Sequence, residues 1–352
     1  MYDIFTYKPV PVRVVFGYGA LNSLRDEVEN LALTRPMIIC SPGRIGVGRQ
    51  LADQIGPDKA HVCDAGLTGM PEQAYSRVMS EIESQKCDGL VAVGGGSPVG
   101  LLKAAAAHAH LPGIAVVTSY SGSEMAANWY YRSCGEQIGG ASQEALPKTV
   151  IYDPELTLSF PPATSAASGM NAMNHAVESL YSAETNPVVQ DLSEEAIRRL
   201  GRSLPRIVAD PYDREARYDA LYGAWHAAMF RAKLGLSHVM AQRCRSLFGL
   251  VHAESHAVAV PYVVSFNKDA APDSMRRIER ALGVDDAARG LYDLNAKLGL
   301  ATGYKALGVP DDGLDKAVDV IFGTEYTNPR PTSKDDLRGL LGQAFGGAEP
   351  VN

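Results

Sequence analysis

The chain has 352 residues, 46% of them hydrophobic and 21% charged, an ordinary globular composition at a length that suits two domains of roughly 100–200 residues. Its net charge of −7 and pI near 5.7 argue against a nucleic-acid or anionic-membrane partner, because both call for a basic face. A small anionic substrate needs only a few local arginines and stays open.

The N-terminal run "MYDIFTYKPVPVRVVFG" has no apolar core behind a basic start, so no signal peptide is expected. No apolar run approaches the ~20 residues that span a bilayer. "RPMIIC" (Arg35–Cys40), "GLVAVGGGS" (Gly89–Ser97), "GIAVVTS" (Gly113–Ser119) and "TVIYDP" (Thr149–Pro154) read as short apolar strands. Helical stretches such as "PEQAYSRVMSEIESQKC" and "PVGLLKAAAAHAH" lie between them. Strands joined by helices predict a mostly parallel sheet covered on both faces, with ligands bound beyond the carboxyl ends of its strands. This α/β domain is drawn over residues 1–158.

Within it, "VAVGGGSPVGLLKA" runs from a strand into a helix. Gly94, Gly95 and Gly96 let backbone approach a ligand, and the unpaired N–H groups at the helix start suit a pyrophosphate. Ser97 can cap the helix or bond a phosphate oxygen, and Pro98 suits the first helical position. The competing reading is a plain tight turn; the spacing is not that of G-x-G-x-x-G. A second polar loop, "VVTSYSGSEMAANW", offers Thr118, Ser119, Ser121 and Ser123 at the same edge of a parallel sheet, or is only a solvated turn.

After about residue 160 the strand signal fades. "SAASGMNAMNHAVESLYSA", "PVVQDLSEEAIRRLGRSLPRIVA", "REARYDALYGAWHAAMFRAKLG" and "DSMRRIERALG" have helical periodicity, and residues 159–352 are expected to form an all-α domain. The end, "FGGAEPVN", is expected to be loose. Asn171 and His175 are four apart and share a helix face. His238 and His252 lie on a later stretch, and the three imidazoles can meet as a first shell for a divalent metal. His256, one turn past His252, is a candidate substrate contact. His61, His108, His110 and His226 are read as packing or surface residues. The five cysteines are scattered, with no C-x-x-C pair, which fits a reduced, cytoplasmic setting.

These pieces together resemble the iron-containing alcohol dehydrogenase family, and within it the maleylacetate reductase branch, over nearly the whole chain. The resemblance runs from "VVFGYGAL" through "GGGSPVGLLKA", "TSYSGSEM", "LPKTVIYDPELTLSFP", "SAASGMNAMNHAVESLY" and "ALYGAW" to "NPRPTSKDDLRGLLGQAFGG". It implies the dehydroquinate synthase-like fold, an N-terminal dinucleotide-binding α/β domain plus an all-α C-terminal domain, with the active site in the cleft between them. It also implies a homodimer. Gly94, Gly95, Gly96 and Ser97 would then hold the cofactor pyrophosphate, and Thr118, Ser119 and Ser123 would line the cofactor cleft. Ser41 stands near where many members carry an Asp that binds the NAD ribose, so NADH and NADPH both stay open.

By the same resemblance the metal positions fall on Asn171, His175, His238 and His252, for Fe²⁺ or Zn²⁺. Asn171 replaces an Asp of most members. It is usual in the maleylacetate reductase branch, and it removes a charge that would offset a metal. A second departure is Gln242, where the family usually has another histidine, followed by Arg243, Cys244 and Arg245 in place of small residues. Arg243 and Arg245 can pair with a substrate carboxylate, since the guanidinium fork matches it; otherwise they face solvent or a neighbouring helix. The implied reaction is reduction of maleylacetate to 3-oxoadipate, by hydride transfer to a carbon–carbon double bond conjugated with a ketone. His175, His238 and His252 would stabilise the developing enolate, and His252 would help deliver the proton. A reductase from a specialised biosynthetic pathway acting on another carbonyl or enone, a non-redox member and an impaired binding subunit remain as alternatives.

Overall fold

The computed structural model describes residues 4–56, 58–230 and 235–350. These fall into two compact units, Val10–Phe160 and the chain from Pro161 onward together with the described residues before Val10. The sequence reading assigns the whole N-terminus to the first domain. In the structure the described residues before Val10 form no strand and group with the helical unit; Pro9 and Pro11 flank the junction and cannot donate to a ladder.

The α/β unit holds eight strands and four helices. They are β1 (Arg13–Phe16), α1 (Leu24–Asn30), β2 (Pro36–Ile39), α2 (Ile45–Ile55), β3 (His61–Cys63), α3 (Glu72–Gln85), β4 (Gly89–Gly94), α4 (Gly96–Ala109), β5 (Gly113–Val117), β6 (Asn128–Ser133), β7 (Glu136–Ala141) and β8 (Thr149–Tyr152). Six strands form one parallel sheet in the order β1-β8-β5-β4-β2-β3. The inner strands are buried along their full length, as continuous apolar runs in a two-sided parallel sheet must be. An antiparallel hairpin, β6 with β7, is not among the elements predicted from sequence. Its turn places Cys134 and Gly135 at φ 51° and 85°. A cysteine stands where such turns favour Asn or Asp, so the usual hairpin signal is missing.

The helical unit holds α5 (Pro162–Tyr181), α6 (Pro187–Ala209), α7 (Arg214–Ala228), α8 (Leu236–Phe248), α9 (His252–Asn267), α10 (Pro272–Leu282), α11 (Ala287–Lys297), α12 (Gly313–Phe322) and α13 (Lys334–Gly346). One isolated bridge, Gly235 to Thr327, gives it a strand-like pairing. An α/β domain with a parallel sheet plus a helical domain is therefore the observed fold class. The tail of the predicted helix at 214–235 reaches Arg231–Leu234, which lie outside the described residues, as do Val351 and Asn352 of the C-terminal run. Among the described residues no helix is long and apolar enough to cross a membrane.

Helix α5 is buried on nearly every side from Ser165 to Leu180. Small residues make this possible. A Cβ on Gly169 would lie 2.4 Å from Leu204 Cδ2, so α5 and α6 pack closer there than any side chain would allow. An all-buried helix must partner every polar group it carries, which gives its asparagines, His175 and Glu178 particular weight.

His226 on α7 is half-buried beside Tyr222 and Trp225, with ring centroids 4.3 and 5.4 Å away, and its Nδ1 has no hydrogen-bond partner among the described residues. Burial pushes its pKa down to about 4, with Arg199 adding to the shift and Glu195 opposing it. The unfolded imidazole titrates near 6.5, so between these values the unfolded chain binds more protons. Stability present above pH 6.5 is then lost as the pH falls toward 4, by at most about 2 kcal/mol at pH 5. In thermal melts, the stability difference between the wild type and His226→Phe should shift in favour of the variant by that order between pH 7 and 5. A difference that stays constant over that range refutes the assignment.

Candidate functional site

In the α/β unit, the residues expected to hold a dinucleotide sit at the carboxyl ends of three neighbouring strands. Ser41 follows β2, Gly94–Ser97 end β4 and open α4, and Thr118–Ser123 follow β5. The loops are tied together, since Thr118 N–H donates to the Gly94 carbonyl at 3.1 Å. Buried Lys103 on α4 donates from Nζ to the Ser123 carbonyl at 2.8 Å, a tether under the second loop.

Helix α4 begins at Gly96, with Gly95 as its N-cap, so Ser97 is not the cap and Pro98 is not the first helical residue. Pro98 still lies in the first turn, where a missing N–H is harmless. No side chain caps the helix, which leaves its N–H groups for a ligand. Gly94 has φ +148°, a conformation that favours glycine. A Cβ on Gly95 would lie 2.9 Å from Ser119 Oγ, whereas a Cβ on Gly96 would meet nothing within 4 Å. Ser119 Oγ is itself buried without a hydrogen-bond partner among the described residues. An open cradle, a bare helix N-terminus and an orphaned hydroxyl suit a phosphate.

In the helical unit, α5 presents Asn171, Asn174, His175 and Glu178 at helical spacing. Asn174 Nδ2 donates to His256 Nδ1 at 2.9 Å, and Asn174 Oδ1 accepts from Ser237 Oγ at 2.8 Å. Glu178 accepts twice from His238, from the backbone N–H at 3.1 Å and from Nδ1 at 2.5 Å. The carboxylate thereby fixes His238 as the Nδ1–H tautomer and turns its Nε2 lone pair toward His175 Nε2, 3.4 Å away. Gly235 makes room for this, since a Cβ there would fall 2.5 Å from Glu178 Oε1.

Four histidines thus gather on α5, α8 and α9. The His175 and His238 ring centroids are 4.2 Å apart. His256 is fully buried, 4.7 Å from His238 and 4.5 Å from His252. His252 is exposed at the start of α9. The sequence reading makes His252 the third member of the cluster; in the structure His256 is the ring packed against His238, and His252 packs on His256. Glu178, Asn174 and Ser237 are the members it missed, although Glu178 lies three residues past His175 and seven past Asn171.

A metal finds a partial donor set here. Two imidazole nitrogens held about 2.0–2.1 Å from one ion in tetrahedral geometry lie roughly 3.4 Å from each other, the separation seen between His175 and His238. Asn171 Oδ1 is buried without a hydrogen-bond partner among the described residues. The second nitrogen of His238 is already held by a carboxylate, as metal-binding imidazoles require. Among the described residues no group of three or more His, Cys, Asp or Glu side chains is arranged for an ion, so the set relies on the neutral amide of Asn171.

On α8, Gln242 and Arg245 are half-buried while Arg243 is exposed. Arg243 donates from Nε to Thr324 Oγ1 at 3.1 Å and is not brought to the histidines. Cys244 is buried in the core, and burial pushes its thiol up to about 12.

Two family models match the chain. One described as "Iron-containing alcohol dehydrogenase" covers residues 11–154, and one described as "Fe-containing alcohol dehydrogenase family, C-terminal" covers residues 165–345. The chain is 37% identical over 349 residues to a maleylacetate reductase of Sphingobium indicum and 39% identical over 350 residues to one of Burkholderia cepacia, with 99% of each chain covered in both cases. A crystal structure of maleylacetate reductase from Rhizobium sp. superposes with a TM-score of 0.95 at 35% identity, covering 99% of this chain and 100% of the other.

Proposed function

This chain belongs to the iron-containing alcohol dehydrogenase family and is an NAD(P)H-dependent oxidoreductase, and from that premise we propose that it reduces maleylacetate, or a closely similar unsaturated oxo acid, to the saturated oxo acid. What supports this reading beyond the family is the 37–39% identity to maleylacetate reductases over 99% of both chains, and the convergence of His175 and His238, with Glu178 fixing the tautomer, supplies the chemistry it needs.

In this reading the backbone N–H groups of Gly96 and Ser97 bind the pyrophosphate, Gly94 and Gly95 let it approach, and Ser119 donates its free hydroxyl. Thr118 and Ser123 line the same loop pair, and Ser41 stands at the ribose end. The cofactor is NADH or NADPH and supplies the hydride, while the protein supplies position and field. As hydride reaches the double bond, negative charge gathers on the conjugated ketone oxygen. His175, with its Nε2 beside His238, is the group that meets that charge with a hydrogen bond. Exposed His252 then protonates the enolate carbon, and His256 backs its ring. Asn171, His175 and His238 would hold Fe²⁺ or Zn²⁺, with His252 the further expected ligand, and such an ion would supply Lewis-acid chemistry at the same place.

The substrate is a small molecule and, in this reading, a carboxylate. A cytoplasmic homodimer goes with it. The five cysteines are free and four of them are buried, as suits a reducing compartment. The deciding assay follows the reduced nicotinamide absorbance band with maleylacetate present. Its decay with NADH or NADPH is the expected result; no decay with either cofactor would remove this reading.

A further inference from the structure

Helix α8 carries two polar side chains that the protein itself leaves unanswered. Gln242 and Arg245 are each partly buried, yet neither side chain makes a hydrogen bond or ion pair with another described residue. At 3.6 residues per turn, His238, Gln242 and Arg245 fall within about 60° of arc on one side of the helix. Val239, Met240, Ala241 and Cys244 turn into the core instead. Helical side chains lean toward the N-terminus, a tendency that directs a residue at 245 toward Gln242 and His238, the latter seven residues and about 10 Å away along the axis.

A cation in the last turn of a helix is favoured by the dipole alone, but that role needs no burial. A guanidinium with no protein acceptor is free to take a ligand carboxylate, whose planar pair of oxygens its fork matches. Helix α9 brings a further polar group to the same level. Ser255 Oγ donates to the Ala241 carbonyl at 2.8 Å, and α8 and α9 are joined by only Gly249–Val251. The start of α9, where His252 is exposed, therefore lies alongside the Arg245 end of α8.

Resting on the reductase reading above, we propose that Arg245 and Gln242 form a carboxylate-recognition site for the end of a dicarboxylic substrate remote from the reacting carbon, with Arg245 as the specificity-determining residue. Arg243 has no part in it. The guanidinium fork grips both oxygens of the carboxylate, and the Gln242 amide donates a further hydrogen bond.

The test measures binding of adipate to the purified protein by calorimetry and steady-state kinetics with maleylacetate, for the wild type, Arg245→Met, Arg245→Lys and Arg243→Met. Arg245→Met should weaken adipate about ten- to a hundredfold and raise KM by a similar factor, with kcat within about threefold. Arg245→Lys, which keeps the charge without the fork, should fall between, and it serves as the folded comparison if the methionine variant is unstable. Arg243→Met should match the wild type. Adipate binding that is absent in the wild type, equal in Arg245→Met, or weakened as much by Arg243→Met overturns the proposal. If adipate behaves as expected while no nicotinamide is oxidised, the carboxylate site stands and the reductase reading falls. If maleylacetate is reduced with an unchanged KM in Arg245→Met, the reverse holds.

Discussion

Replacing His238 with alanine should lower turnover by about a thousandfold and leave NADH affinity within about twofold. The asymmetry follows from where the residue sits. His238 belongs to the helical unit, and the glycine loop belongs to the α/β unit. Removing the ring deletes the nitrogen that faces His175 at 3.4 Å and strips buried Glu178 of one of its two donors. The variant should therefore also melt lower, by roughly 3 kcal/mol in stability, the scale of breaking a buried charge-assisted pair. A gentler companion is Glu178→Gln. The carboxylate accepts from both the backbone N–H and Nδ1–H of His238, and an amide has only one oxygen to offer. If that oxygen keeps the backbone N–H, the amide nitrogen faces Nδ1 and drives the ring to the Nε2–H tautomer. Nitrogen chemical shifts of His238 would report the switch, with kcat reduced about tenfold. Stopped-flow turnover and nicotinamide fluorescence separate chemistry from binding in both variants, and full turnover in His238→Ala would show that the ring has no part in the reaction.

What the sequence makes legible is what has a local signal. The four strands named from sequence are continuous apolar runs ending in Gly, Ser or Pro, and a buried parallel strand advertises itself in that way. Strand β3 has only three residues, and the β6–β7 turn uses Cys134 where Asn is expected, so neither rose above background. The histidines were found because i,i+4 spacing is visible in a string. Which of His252 and His256 packs on His238 was not, since it depends on the register of α8 against α9. Glu178 was missed for a different reason. A lone glutamate on a helix reads as a solvated charge, and only the burial of α5 on nearly every side makes it a positioning group. Arg243 and Arg245 looked alike in sequence because adjacent signals blur within a four-residue run. A rotation of 200° between them sends one to Thr324 and leaves the other on the His238 side.

Replacing Gly96 with valine should leave the fold intact and weaken NADH at least about a hundredfold, the scale of losing one or two charge-assisted hydrogen bonds. The position separates folding from binding. Gly94 has a φ that favours glycine, and a Cβ on Gly95 strikes Ser119 Oγ, so substitutions there damage the loop itself. Gly96 has neither constraint. It is exposed, opens α4, and a Cβ there meets no atom within 4 Å. Valine is also no worse than glycine in a helix, so the melting temperature should hold. The new methyl groups would stand in the space over the uncapped N–H groups of α4, where a pyrophosphate must come to backbone distance. Retained helicity with lost cofactor fluorescence is the expected pair of results. Retained helicity with NADH bound as tightly as in the wild type would mean that the diphosphate docks elsewhere, and the roles given to Gly94, Gly95, Ser97 and Ser119 would fall together, because all four depend on the same cradle.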